Sequence, residues 1–540
     1  MDSASGVHGG SGVGDGSRAN GDPGAHDGAG VNGAPGAVDG AVIRSLIPAR
    51  LDRIPWSKFH TRMIMALGVA WILDGLEITI AANLSAAFTQ KSTLNLSTSQ
   101  AADIATYYLI GEVIGALLFG RLSDKLGRKR LFVVTLGIYL VGSGLTAATQ
   151  AGGGWIVFLY GTRIIAGMGI GGEYAAINSA IDEMMPARYR GRVDIAVNGT
   201  YWAGAILGTA ATLWILNGIS PDTGWRIAYL VGPVLAVVIV FVRKNLPESP
   251  RWLLMHGHAE QAESEIAVIE REAEQSRGPL PDVDDDAAIE IVPTERMGYL
   301  ELVRTLFRTY PSRSTLVASL MATQSFLYNA IFFTYGLVLK FYFNVPVNQV
   351  PYYFFAFAAG NLAGPLTIGK LFDSIGRRKM ISGTYVLAGS LLVLSAILFK
   401  DGDLNATTQT IAWTVIFFFA SAGASAGYLT ASEVFPLEVR AQAIAVFFAI
   451  AQCFGFAGTK LFGHLIGTGH DKNALFGGYL LGAGMMIAGG FVAAFLAVDA
   501  EGKSLEEIAP PLSLASKAHA PVPRPGPPVA PGGVASSDLA

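Results

Sequence analysis

A chain of 540 residues that is 51% hydrophobic and 15% charged, with a mean hydropathy of +0.43, is too apolar for a soluble multidomain enzyme. Its net charge of −3, with the basic residues dispersed among loops, argues against nucleic acid as a partner. One cysteine, Cys453, rules out a disulfide framework, and its apolar surroundings predict a buried thiol. Eight histidines without ligand spacing predict no metal site, and no phosphate cradle or other cofactor-binding motif is present.

Residues 1–40 are mainly Gly, Ala, Asp and Ser and predict a disordered tail without signal-peptide features. Residues 41–62 mix basic side chains with Trp56 and Phe59, the pattern of an amphipathic cytoplasmic element on a membrane surface. Six apolar runs follow within 63–243, each near the roughly 20 residues needed to cross a bilayer. A polar segment at 244–313, with a helical stretch around 257–276, separates them from six more runs within 314–498. The Pro- and Ala-rich tail at 499–540 is expected on the cytoplasmic side, unstructured after Leu512. Basic residues concentrate in the loops of one face, among them Arg121, Lys129, Arg188, Arg378 and Lys379. The positive-inside rule then places both termini and the 244–313 segment in the cytoplasm of a plasma-membrane protein.

The charged stretch Gly120–Arg130, GRLSDKLGRKR, lies between two apolar runs and predicts a tight water-exposed loop. It returns at Gly369–Lys379 as GKLFDSIGRRK, so Asp124 pairs with Asp373 at an offset of 373 − 124 = 249. DEMMPARYR at 182–190 returns as SEVFPLEVR at 432–440, matching Glu183 to Glu433 and Arg190 to Arg440 at an offset of 250. Two unlike motifs with one spacing indicate a duplicated membrane protein. The fold expected is all-α, with twelve transmembrane helices in two pseudo-symmetric six-helix halves.

Several ionisable residues fall inside the apolar runs, where charge is costly and points to a water-lined or paired site. Asp74 and Glu77, three residues apart, share a helix face; Arg163 is a natural counter-ion, and Glu173 lies ten residues beyond it. A carboxyl that titrates in such a setting can carry a coupling proton, with Glu77, assisted by Asp74, as first candidate and a purely structural pair as the alternative. For Glu112, gating, proton coupling and a simple bond to a neighbour stand as equal readings. Gln324, Tyr328, Asn329 and Asn361, with Tyr335, offer polar contacts to a solute from the seventh and eighth runs, or else tie helices together.

The paired GRLSDKLGRKR and GKLFDSIGRRK loops resemble signatures of the major facilitator superfamily. RIIAGMGIGGE at 163–173, PARYRGR at 186–192, PESPRWL at 247–253 and GKSLEEI at 502–508 resemble its sugar-porter-like branch. WILDGLEITI at 71–80 is similar to the acidic first span of aromatic-acid/proton symporters and synaptic-vesicle-protein-like relatives. The resemblance implies that Asp124, Arg128, Glu183, Arg190, Glu248, Arg251, Asp373, Arg377, Glu433 and Arg440 form a cytoplasmic gating network. The seventh-run stretch TQSFLYN at 323–329 departs from the sugar-porter pattern at Thr323 and Leu327, which counts against hexose recognition.

The expectation is a monomeric secondary transporter, not an enzyme, that moves a small polar organic solute through the lipid bilayer by alternating access with proton symport. A proton-independent carrier of an organic acid or cation, and a transporter-like sensor, are the alternatives. No GxxxxGK[ST] sequence is present to support an ATP-driven pump.

Overall fold

The computed structural model describes residues 43–243, 247–291, 298–369, 371–467, 471–498 and 508–509. The tails expected at 1–40 and 499–540 lie outside them, apart from Ile508 and Ala509. Strand β1 (Ile43–Ser45) and helix α1 (Ile47–Arg53) precede six long helices: α2 (Lys58–Leu84), α3 (Thr98–Leu126), α4 (Arg128–Thr146), α5 (Gly153–Met184), α6 (Ala187–Gly218) and α7 (Pro221–Arg243). A central segment holds α8 (Pro250–Met255), α9 (Ala259–Arg277), β2 (Ile289–Ile291) and α10 (Tyr299–Thr309). Six further long helices follow, α11 (Pro311–Phe343), α12 (Val350–Ile368), α14 (Arg377–Asp401), α15 (Ala406–Glu433), α16 (Leu437–Ile466) and α17 (Lys472–Leu496), with one-turn α13 (Leu371–Ser374) after α12.

Ten of these helices are long and apolar enough to cross a membrane. The other two long ones, α6 and α12, are diluted by Asn198, Thr200, Tyr201, Thr209 and Thr212, and by Gly360, Asn361 and Pro365. The helices outrun the apolar stretches of the sequence: α11 has 33 residues, about 50 Å against a hydrocarbon core of about 30 Å. The loop expected at Gly120–Arg130 is mostly helix for the same reason. The backbone of α3 stays hydrogen-bonded to Leu126, and the chain reverses at Gly127, whose φ of 81° only glycine adopts without strain. Its counterpart is Gly376, with φ of 112°, at an offset of 376 − 127 = 249.

Packing repeats with the sequence. Within the first half α2 lies on α6, α3 on α5 and α4 on α7; within the second, α11 lies on α16, α12 on α15 and α14 on α17. The halves meet where α3 packs on α16, α6 on α12 and α2 on α11, the first two being equivalent under the repeat. Gly111 and Gly115 of α3 face the backbone of Ile164 and Met168, while Gly167 and Gly171 of α5 face Tyr108 and Glu112. These two small-xxx-small pairs let the helices approach until a Cβ would strike a carbonyl.

The outer faces are apolar: Val133, Val141, Trp214, Val234, Leu394, Ile411, Phe491 and Phe495 are each more than half exposed, a surface suited to lipid. Cys453 is exposed rather than buried, because it shares with Phe454 the outward side of α16 while Ala451 turns inward.

At the end bearing the basic loops, β1 pairs antiparallel with β2, Ile43 opposite Ile291. Arg50 reaches Glu263 (2.5 Å) and Glu270 (2.6 Å), Arg53 reaches Glu270 (2.6 Å), and Arg62 reaches Glu272 (2.8 Å), so α9 answers the basic side chains of the 41–62 segment. Burial works to raise the Glu270 carboxyl, but hydrogen bonds from Arg50 and Arg53 and their charges outweigh it and hold it below its ordinary value.

Candidate functional site

A cavity of about 190 Å3 lies between the halves, near mid-length of the long helices. Asp74, Trp71 and Ile78 enter it from α2, Glu112 from α3, Glu173 and Tyr174 from α5, and Asn198, Tyr201 and Trp202 from α6. The second half supplies Gln324, Ser325, Tyr328 and Asn329 from α11, Ser421, Ser425 and Tyr428 from α15, and Phe448 and Gln452 from α16. Toward the basic-loop end Tyr174 stacks on Phe448 across the halves, ring centres 4.1 Å apart. Toward the other end Lys460 of α16 holds both carboxylate oxygens of Asp103 on α3 at 2.6 and 2.7 Å.

The structure separates the two acids of α2. Glu77 is fully buried and points into its own half, where Arg163 donates to it at 2.8 Å, Ser143 at 2.7 Å and Tyr139 at 3.0 Å. Gly232 of α7 leaves the space through which the Tyr139 hydroxyl reaches that carboxylate. The Arg163 guanidinium lies 4.6 Å from the Tyr108 ring centre and 5.0 Å from that of Tyr229, so burial is offset by an ion pair, hydrogen bonds and two ring faces. Asp74, one turn earlier, faces the cavity instead; it is 8% exposed, and its Oδ1 has no hydrogen-bond partner among the described residues.

Glu112 is bonded across the halves: Gln452 donates its side-chain N–H to the carboxylate. Ser325 donates to Gln452 Oε1 at 2.9 Å, and Asn329 donates to Ser325 Oγ at 3.0 Å. A chain of donors therefore runs from α11 through α16 to the acid on α3, each step pointing toward the carboxylate. Gln324 and Tyr328 join Asn329 in the cavity wall, and Gln324 Oε1 is buried without a partner.

Asn361 is not brought to the cavity. Its amide donates one turn back to Phe357 O at 2.9 Å, and its backbone carbonyl accepts from Ser421. Tyr335 likewise turns to Thr410, 3.0 Å away. Among the residues named for gating, Arg377 forms an ion pair with Glu433, joining the start of α14 to the end of α15. Arg251 reaches Asp52 at 3.3 Å, Glu248 accepts from the Lys129 N–H at 3.2 Å, Arg440 donates to the Phe435 carbonyl at 3.0 Å, and Glu183 is buried. Asp124, Arg128, Arg190 and Asp373 fall on α3, α4, α6 and α13, and their side chains lie outside the described residues.

Apart from Tyr328, the aromatic lining escaped the sequence reading, as did Gln452, Ser325 and Asn198. Trp71 precedes Asp74 by three residues, which puts both on one helix face, and that spacing was the available signal. Tyr428 and Phe448 had none, since an aromatic in an apolar run is ordinarily core.

A family model described as "Sugar (and other) transporter" matches residues 62–511. The niacin transporter NiaP of Acinetobacter baylyi is 24% identical over 462 residues, covering 85% of this chain and 99% of that protein. A probable inorganic phosphate transporter of Arabidopsis thaliana is 24% identical, covering 84% and 93%. Among solved structures, the proton:xylose symporter XylE bound to 6-bromo-6-deoxy-D-glucose superposes with a TM-score of 0.66 at 18% identity, covering 83% of this chain and 98% of that one. The duplicated twelve-helix architecture and the family match agree, and the chain belongs to the sugar (and other) transporter family of the major facilitator superfamily, a multi-pass membrane protein that is a secondary transporter of small solutes and not an enzyme.

Proposed function

We propose that the protein is a monomeric plasma-membrane symporter that carries one small polar organic solute together with a proton. Both termini face the cytoplasm, on the side of the basic loops. The solute occupies the cavity between the halves, and Glu112 takes the proton.

The observation that carries this reading is the bond from Gln452 to Glu112. It joins the halves, and its donor is held by Ser325 and Asn329 in the wall that would touch the solute. An ionised Glu112 accepts the Gln452 N–H with the strength of a charge-assisted bond. Protonation removes that charge and loosens a tie between the halves, so proton and solute act on the same contact. This is a differential interaction of the kind that shifts a conformational equilibrium. Glu77, engaged by three donors, is better suited to hold Arg163 in place than to exchange a proton with the cavity, so Asp74 is the second proton candidate. The remaining acids and arginines at the basic-loop end are assigned to gating, Arg377–Glu433 by its ion pair and the others by family resemblance.

The test is transport by the full chain in proteoliposomes carrying an internal pH dye, with D-xylose, nicotinate, phosphate and benzylammonium as solutes. A solute gradient imposed without a pH gradient should drive protons across with the solute, and Glu112→Gln should abolish that movement while solute counterflow persists. Counterflow accompanied by no proton movement for any transported solute overturns the symport reading.

A further inference from the structure

We infer that the cavity takes a small organic cation with a single flat ring, its charged nitrogen seated at Asp74. This rests on the proposal above that the cavity is the solute site, and goes on to name the class of solute.

Three carboxylates line the cavity, Asp74, Glu112 and Glu173, and no Lys, Arg or His does so among the described residues. The nearby Arg163 is paired with a fourth acid, Glu77, at 2.8 Å, so the acids around the cavity outnumber it. An anionic solute would enter a low-dielectric space holding like charge and no cationic side chain among the described lining residues to answer its own. A cation answers that charge, and three acids leave room for a proton as well, as symport requires.

The unpartnered atoms of the wall are of two kinds: Trp71 Nε1 and the Tyr328 hydroxyl are donors without an acceptor among the described residues, and two acceptors mark where the N–H groups of a cation would sit. Asp74 is 8% exposed and Gln324 7%, both line the cavity, and both leave a buried oxygen, Oδ1 and Oε1, without a donor among the described residues. A buried acceptor left unmet is costly, so a native solute is expected to bring N–H groups. An ammonium brings three; a carboxylate brings none.

The remaining wall suits the ring. Trp71 meets Tyr174 edge-on at 5.3 Å and Tyr201 at 6.4 Å, while Trp202 meets Tyr328 at 6.0 Å. Aromatic faces carry negative potential and attract a cation as well as stacking on a flat solute. With about 190 Å3 available, the space matches one ring with a short substituent, since a cavity of roughly 150 Å3 accepts benzene.

Three probes of one size separate the possibilities: benzylammonium, benzyl alcohol and benzoate, titrated at pH 7 into the purified full-length protein and followed by tryptophan fluorescence. Benzylammonium should bind about tenfold or more tighter than either of the others. Asp74→Asn, checked for an unchanged thermal transition, should erase that preference, and Asp74→Glu should restore part of it. Should Asp74→Asn fail to fold, Gln324→Leu should weaken benzylammonium while leaving benzyl alcohol unaffected. Benzoate binding as tightly as benzylammonium, equal binding of all three, or a preference untouched by these variants overturns the inference. Proton-coupled uptake of benzoate would sink the cation assignment and leave the symporter proposal standing. Benzylammonium binding with no proton movement during its transport would do the reverse.

Discussion

Gln452 of α16 donates to the carboxylate of Glu112 on α3, so a polar bond spans the two halves in the wall of the central cavity. If that bond helps hold the halves together, Gln452→Leu should ease their separation. Hydrogen bonds to charged groups contribute about 1.5–3 kcal/mol, so the minor conformation should rise by roughly ten- to a hundredfold. Cysteine labelling at positions flanking α3 and α16 reads this directly. In a Glu112→Gln background the same change should have much less effect, and equal effects in both backgrounds would show that the two residues act separately.

The buried pair Arg163–Glu77 makes a second prediction. Glu77→Leu leaves a guanidinium that is 1% exposed without its counter-ion, at a cost of about 3–5 kcal/mol. Joined to Arg163→Met in one protein, it should cost far less, because no uncompensated charge remains. Thermal unfolding of the three variants in one detergent measures it, and additive losses would argue against direct coupling.

Lys460 and Asp103 join the halves at the end away from the basic loops. Lys460 is half-exposed, so Lys460→Gln should shift the conformational population by at most about fivefold, consistent with the ~0.2–1 kcal/mol of such pairs. Raised salt should mimic the substitution in the wild type and do nothing further in the variant. Labelling of a cysteine near the Asp103 end of α3 is the readout.

Glycine positions with and without room give opposite signs. Gly75→Ala places a Cβ against the Tyr201 carbonyl on the neighbouring helix, and should destabilise by about 1–3 kcal/mol. Gly137→Ala meets nothing within 4 Å, and should stabilise by roughly 0.5–1 kcal/mol through helix propensity. Unfolding midpoints in detergent compare them.

The docking of α1 on α9 should weaken in acid. Glu270 is held below its ordinary value by Arg50 and Arg53, so its contribution is complete above the unfolded carboxylate value of about 4.3 and is lost as pH falls through the lower folded one. Hydrogen exchange in α9 should rise over that window in the wild type. Glu270→Gln should exchange faster at neutral pH and show a flatter pH response.

By itself the sequence determined the class, the duplication and the span count. Apolar runs near bilayer length, and two unlike motifs repeating at 249 and 250 residues, leave little choice of architecture. It also marked Asp74, Glu77, Glu112 and Arg163, because charge within an apolar run stands out whatever surrounds it. Only the tertiary structure decided what those charges do. Three residues on a helix put Asp74 and Glu77 on one face, yet 60° of rotation sends one to the cavity and the other to Arg163 and Tyr139. Asn361 and Tyr335 looked like solute contacts, yet the Asn361 amide N–H bonds its own helix, Tyr335 turns to Thr410, and neither lines the cavity. Gln452, more than three hundred residues from Glu112, became its partner. Period and composition describe a helix against its own axis; which neighbour a face meets, and where the helices part to leave a space, depends on packing between segments distant in the chain.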